Sequence, residues 1–240
     1  MKIFNWINIR LLLMISLVIF LFSFTTKRNE QRKLKKSVVF FLNMNDRFVQ
    51  ETMVNKLLIE NKSQAQSIRK DALDLSKIEK TIDSNPMIER SEVFVSIDGV
   101  LKAVVKQKTP IARVINGSES FYVDYEGGKM PLSSNFAARV PLVSGGINKK
   151  NSGEFTQLCR VIYDDDFLKK NIIAIQIMPN GNLKMFNRNY NYQIEFGGLT
   201  DVSQKFKDYK AFFQKAVVDS TLYKYRKIDL RFTKQVVCTK

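Results

Sequence analysis

Three groupings in this 240-residue sequence have the residue types for chemistry. Ser67-Ile68-Arg69-Lys70 has the SxxK spacing, in which a lysine amine can take the proton of a nucleophilic serine. The KTG signature that accompanies it in penicillin-binding enzymes is missing, and a chain rich in Ser and Lys meets SxxK by chance. Asp164-Asp165-Asp166 offers three carboxylates to a cation. Consecutive side chains on a helix point in different directions, so the triplet reads as a solvated helical stretch. Cys159 and Cys238 are far apart, with no CxxC and no partner ligands for zinc. They read as two small buried residues, and a disulfide between them is left open. The sequence has no histidine, the commonest general base and metal ligand, and neither a GxSxG nor a P-loop pattern. The expectation is a protein that is not an enzyme, takes no cofactor or metal, and has no small-molecule substrate.

With 45% hydrophobic and 26% charged residues, most of the chain is expected to fold. A net charge of +16 raises nucleic acid as a partner, because Lys and Arg release counterions from phosphates. The lysines are spread over many segments and form no single stripe, so nucleic acid is not the expected partner. Anionic headgroups or wall polymers suit such a surface better.

Residues 11–24, LLLMISLVIFLFSF, are uncharged, and with Trp6, Ile7 and Ile9 they approach the roughly 20 residues that cross hydrocarbon as a helix. A cleaved signal peptide has a similar start, but Ser23-Phe24-Thr25 is a poor small-x-small cleavage site, which favours a retained anchor. Lys27, Arg28, Arg32, Lys33, Lys35 and Lys36 follow, against Lys2 and Arg10 on the other side or within. By the positive-inside rule this charge puts the carboxyl side in the cytoplasm; a basic arm lying on anionic lipid is the alternative use of it. Charge alone leaves the orientation open.

VVFFL at 38–42 is of strand type, and Val49, Met53, Val54, Leu57 and Leu58 recur at helical spacing. NKSQAQSIRK at 61–70 reads as a polar loop. Ile78 and Ile82 mark a second helix, capped by Ser76 and ending before Pro86. Val93, Val95 and Ile97 then share one strand face, and Leu101, Ala103 and Val105 another, around an Asp98-Gly99 hairpin turn. Beyond Pro110, IARVI, FYVD, EGGKMPL and VPLVSG are short strands between turn residues. A helix over 154–170 follows, with Phe155, Leu158, Val161 and Ile162 on one face, then strands in IIAIQIM, LKMF and YQIEF. A last helix opens at Asp201 and carries Val202, Phe206, Tyr209, Phe213 and Val217 at i+3 and i+4. In the closing KIDLRFTKQVVCTK, Ile228, Leu230 and Phe232 alternate with Lys227, Asp229 and Arg231, and this final strand is expected at a sheet edge.

IDSNPMIERSEVFVSIDGVLKAVVKQKTPIARV, FYVDYEGGKMPLS, RVPLVSG and the terminal RKIDLRF, in that order, resemble the FtsQ/DivIB family of bacterial cell-division proteins over nearly the whole chain. The resemblance implies an α+β protein with a short cytoplasmic end and transmembrane helix at 1–26 and a basic juxtamembrane arm at 27–36. It further implies a POTRA domain (βααββ) at 37–109 and a mainly antiparallel β domain with two helices at 110–240. The implied function is that of a non-enzymatic, single-pass scaffold of the divisome in the cytoplasmic (inner) membrane, with its bulk outside, acting in septum assembly. The implied partners are FtsB- and FtsL-like proteins on the β domain, and other division proteins on the POTRA domain. An extended FtsB segment would pair with the terminal edge, which by this correspondence is Ile228, Asp229, Leu230, Arg231 and Phe232; the family commonly has Tyr at the position of Phe232. POTRA modules also serve outer-membrane protein transport, and an anchored wall-binding protein is a further alternative. The sequence beyond 110 has no repeated ten-residue alternation of a lipid-facing barrel.

Overall fold

The computed structural model describes residues 6–30, 33–42, 47–59, 65–69, 73–146, 152–232 and 235–240. Lys2, Arg32, Lys70 and 61–64 of the expected polar loop lie outside these. The architecture is mixed α+β, and the chain divides into two compact units, Met1–Gln107 and Lys108–Lys240.

The first unit opens with α1 (Trp6–Glu30), apolar on every side, of which Trp6–Arg28 is long and apolar enough to cross a membrane. The hydroxyls of Thr25 and Thr26 donate to the carbonyls of Leu21 and Phe22, which satisfies them within the helix. There follow β1 (Lys36–Phe41), α2 (Glu51–Leu58), α3 (Leu75–Asp83), β2 (Ile88–Val95) and β3 (Val100–Gln107). The sheet order is β1-β3-β2, with β1 parallel to β3 and β2 antiparallel to it. A parallel pair requires a crossover, and α2 and α3 supply it. Their buried Val54, Leu58, Ile78 and Ile82 form one core with Val39, Val93, Leu101, Ala103 and Val105.

Three local features differ from those the sequence predicts. The cap of α3 is Asp74 and not Ser76, because Asp74 Oδ1 lies 3.0 Å from the Lys77 N–H it accepts. Val49 precedes α2, and its N–H donates to Gln107 Oε1 at 2.9 Å. Ile97 leaves the strand face for the turn 96–99 and is 95% exposed. That turn closes through Ser96 N–H to Val100 O and Gly99 N–H to Ser96 O, and Gly99 takes φ 85°, open to glycine at no steric cost.

The second unit is built on a sheet of nine strands: β4 (Pro110–Asn116), β5 (Glu119–Asp124), β6 (Lys129–Met130), β7 (Leu142–Ser144), β8 (Ile172–Ile177), β9 (Leu183–Asn187), β10 (Gln193–Gly197), β11 (Lys227–Asp229) and β12 (Val237–Thr239). Their order is β12-β11-β10-β9-β8-β7-β4-β5-β6. Pairing is antiparallel except for β4–β7, β7–β8 and β10–β11. The last two crossovers contain the helices: α4 (Ser152–Asp164) and α5 (Asp166–Asn171) between β7 and β8, and α6 (Val202–Val218) between β10 and β11. Phe155, Leu158, Ile162, Leu168, Phe206 and Tyr209 from these helices share a core with Ile111, Val143, Ile175, Met185, Ile194 and Ile228.

The single helix expected over 154–170 is two, so among the described residues the second unit has three α-helices. Asp165 breaks it: its side chain accepts from the N–H groups of Phe167 at 3.1 Å and Leu168 at 3.0 Å, capping α5, and pairs with Lys210 of α6. Asp165 is thus a structural joint, while Asp164 and Asp166 on either side are exposed as a solvated stretch requires, Asp164 accepting from the Tyr125 hydroxyl at 2.9 Å. Asp201 stands before α6 in a left-handed conformation, φ 52°, and makes no side-chain cap bond.

One polar cluster lies inside this core. Tyr209 accepts from Asn187 Nδ2 at 3.0 Å and meets the Tyr192 hydroxyl at 2.8 Å. Burial pushes both phenols above their ordinary value, so they stay neutral and serve as hydrogen-bonding groups. Tyr209→Phe strips a partner from each neighbour and is expected to destabilise the protein by about 1–2 kcal/mol, read as a lower unfolding midpoint by near-ultraviolet dichroism.

Candidate interaction edge

The expected edge at 228–232 is an interior strand with an irregular extension. β11 pairs in parallel with β10, Gln193 to Glu195 facing Lys227 to Asp229, and antiparallel with β12, where Lys227, Ile228 and Asp229 face Thr239, Cys238 and Val237. The reason lies in the residues that follow. Val236 and Cys238 pack against the core while Val237 and Thr239 are exposed, a two-residue alternation that makes a further strand outside β11. Among the described residues β12, and not 228–232, ends this side of the sheet.

Of the five predicted residues, Ile228 and Asp229 lie in β11, and Leu230, Arg231 and Phe232 follow it. Ile228 and Leu230 are buried, and Leu230 N–H donates to Glu195 O at 2.9 Å, prolonging the contact with β10. Asp229 is also buried, against the expected alternation, whereas Phe232 is half exposed. Arg231 explains the first: its Nε and terminal nitrogen lie 2.9 Å and 2.5 Å from Asp229 Oδ1 and Oδ2, a two-pronged pair that its main-chain N–H extends at 3.1 Å. Gly197 makes room for this clamp. It sits at φ 75°, and a Cβ there would stand 2.8 Å from Arg231 Cγ. Beside the clamp, Glu195 lies 3.3 Å from Lys184 and 3.7 Å from Lys227, so opposite charges cross β9, β10 and β11.

The Arg231 hydrogen bonds hold the Asp229 carboxyl below its ordinary value, outweighing a burial that acts in the opposite sense. A carboxylate whose folded value is depressed adds stability that is complete above the unfolded value and is lost as pH falls toward the folded one. Amide protection in β11 and β12 is therefore expected to weaken as pH drops below about 4, and Asp229→Asn should remove that dependence.

The main chain of β12 has a defined direction. Leu230 N–H faces β10, so Ile228, two residues before it, faces β10 as well, and Lys227 and Asp229 face β12. Cys238 stands opposite Ile228 in a pair of the kind that exchanges no hydrogen bond, and its N–H and C=O therefore turn outward. Its side chain stands at right angles to these groups, packs against the core and is a free thiol. Cys159 is a free thiol too, and burial pushes it up to about 12, which leaves it protonated and unreactive at neutral pH. Among the described residues no three His, Cys, Asp or Glu side chains gather as a metal site.

What fold and edge define is a mixed α+β chain that opens with an apolar helix and whose larger sheet ends in a short strand near the carboxyl end. The family model described as FtsQ/DivIB, C-terminal related, matches residues 109–239, from the start of β4 to the end of β12, and the chain belongs to that family. No curated protein matches the chain. Among solved structures, the major extracytoplasmic domain of the trans isomer of the bacterial cell division protein DivIB from Geobacillus stearothermophilus is similar at 15% identity. That match has a TM-score of 0.35 and covers 47% of this chain and 95% of that one.

Proposed function

We propose that the protein is a single-pass membrane scaffold of the divisome that holds an FtsB-like partner by lending it the outer side of β12, with an FtsL-like protein in the same assembly. Membership of the FtsQ/DivIB family supports a role in cell division. The observation that carries the mode of binding is the outward main chain at Cys238, on the strand that ends the sheet. An extended peptide laid there gains main-chain hydrogen bonds, while alternate side chains meet Val237 and Thr239 and select the sequence. No bond of a substrate is made or broken in this role. Ile228, Asp229, Leu230 and Arg231 act from behind, fixing the strand on which β12 rests.

In this reading residues 37–109, with strand-helix-helix-strand-strand order, are a POTRA domain for contacts with other division proteins, and 110–240 form the partner-binding β domain. α1 anchors both in the cytoplasmic (inner) membrane, and the bulk of the chain lies outside it. The basic residues after α1 argue by charge for the opposite orientation, but a folded domain of this length translocates largely regardless of them. A protease added to the outer side of the inner membrane is expected to remove a tag at the carboxyl end of the full chain in intact spheroplasts. Protection of the tag until the cells are lysed would place the β domain in the cytoplasm and end this reading.

A further inference from the structure

We infer that the end of the small sheet at which β1 begins is a lipid-contact surface, its lysines on anionic headgroups and Ile97 inserted between them. The inference rests on the reading of α1 as a membrane crossing and goes beyond it by assigning a second membrane contact to the folded unit.

Connectivity brings this end to the bilayer. The parallel register sets Lys36 of β1 beside Val100 of β3, so the turn 96–99 lies at the same end of the sheet as the entry of the chain. Leu34 N–H donates to Ile68 O at 3.0 Å and Lys35 N–H to Gly99 O at 2.8 Å, so the chain is fastened to the folded unit from Lys33 onward. α1 ends at Glu30, and the three steps from there to Lys33 span at most about 10 Å in any conformation. The headgroup layer beyond the hydrocarbon is itself about 6 Å deep on each side. That tether keeps Lys33, and the sheet end beside it, within about 10 Å of the end of α1.

The side chains at that end suit such a neighbour. Lys33, Lys35 and Lys36 are exposed and Lys102 is half-buried, with Asp98 the one acidic side chain in the turn. Lysine stems can lie along apolar surface while the ammonium groups reach phosphate, and all of them stand within a Debye length or so of the bilayer. Ile97 is 95% exposed at the tip of the turn. A single exposed apolar residue is ordinary on a protein surface. This one projects from the end nearest the membrane, among lysines, where an apolar side chain gains by entering the boundary between headgroups and acyl chains.

Trp6 is the sole tryptophan, so two versions of the full chain in vesicles separate the two contacts. Wild type reports α1, and Trp6→Phe with Ile97→Trp reports the turn. In phosphatidylglycerol-containing vesicles the tryptophan at 97 is expected to emit at shorter wavelength than in vesicles of phosphatidylcholine alone and to lose intensity when the lipids are brominated. Lys33→Glu, Lys35→Glu and Lys36→Glu together, or vesicles of phosphatidylcholine alone, should return it to the solvent-exposed spectrum. Quenching of Trp6 without any effect at 97 overturns the lipid contact while leaving the crossing intact, and would turn attention to an acidic protein as occupant. Quenching at neither position overturns both.

Discussion

Cys238→Pro is expected to weaken capture of an FtsB-like segment more than about tenfold while the protein keeps its fold. Proline removes a single main-chain donor, and at 238 that donor faces outward, away from β11. No rung of the protein's own ladder is broken, which is why proline is tolerated on edge strands at such positions. The ring replaces a side chain of similar size that is only half buried. The partner loses its hydrogen bond to this N–H and meets the ring in its place. One net hydrogen bond corresponds to about a tenfold change in affinity, and the steric clash adds to it, so a loss of more than about tenfold is expected in a binding titration. Cys238→Ala keeps the N–H and should bind like wild type. Val237→Pro differs in kind: its N–H faces β11, so the substitution should detach β12 itself and be visible as lost protection at Lys227 and Asp229. Unchanged binding by Cys238→Pro would remove the β12 edge from the account.

The largest effect on stability is expected at Gly145, which follows β7. Its φ of 96° is disfavoured for any residue with a Cβ, and a Cβ placed there would stand 2.2 Å from the carbonyl oxygen of Ile177 in β8. That neighbour is backbone at the end of a strand in the middle of the sheet, and it cannot yield without disturbing the β7–β8 pairing. Backbone strain and overpacking together give about 3–5 kcal/mol for Gly145→Ala. The unfolding midpoint of the full chain should fall by roughly 10 °C or more. Gly117→Ala is the control, since its added Cβ meets nothing within 4 Å and only the backbone conformation, φ 59°, is strained. A Gly145→Ala protein as stable as Gly117→Ala would show that β7 and β8 are not held this closely.

Strand and helix positions with strong periodicity were legible in the residues. Val54, Leu58, Ile78 and Ile82 are buried as their spacing requires, and so are Phe206 and Tyr209. Legibility failed where a polar side chain competes with a pattern. Asp165 sits inside an otherwise continuous helical period, yet its carboxylate offers two N–H groups a better partner than the helix does, and the chain breaks there. At Ile97 the alternation of the strand runs on past the point where Ser96 already starts the turn. The terminal edge was misplaced by one strand for a similar reason. The alternation in KIDLRF describes a sheet strand well, but whether a strand is outermost depends on what pairs with it, and that is long-range information. The sequence signal for β12 is the short VVC run after Thr233-Lys234-Gln235, too brief to announce a separate strand. The burial of Asp229 could not be read from its type; it follows from Arg231 two residues later and from the space above Gly197.

Amide exchange at Cys238 reports directly on whether a partner lies along β12. In the full chain, held in lipid nanodiscs and saturated with an FtsB-like segment, this amide should exchange at least about tenfold more slowly than without the segment, while core amides such as Ile175 remain unchanged. Exchange at Cys238 that is the same with and without bound partner would mean that β12 does not carry the interaction.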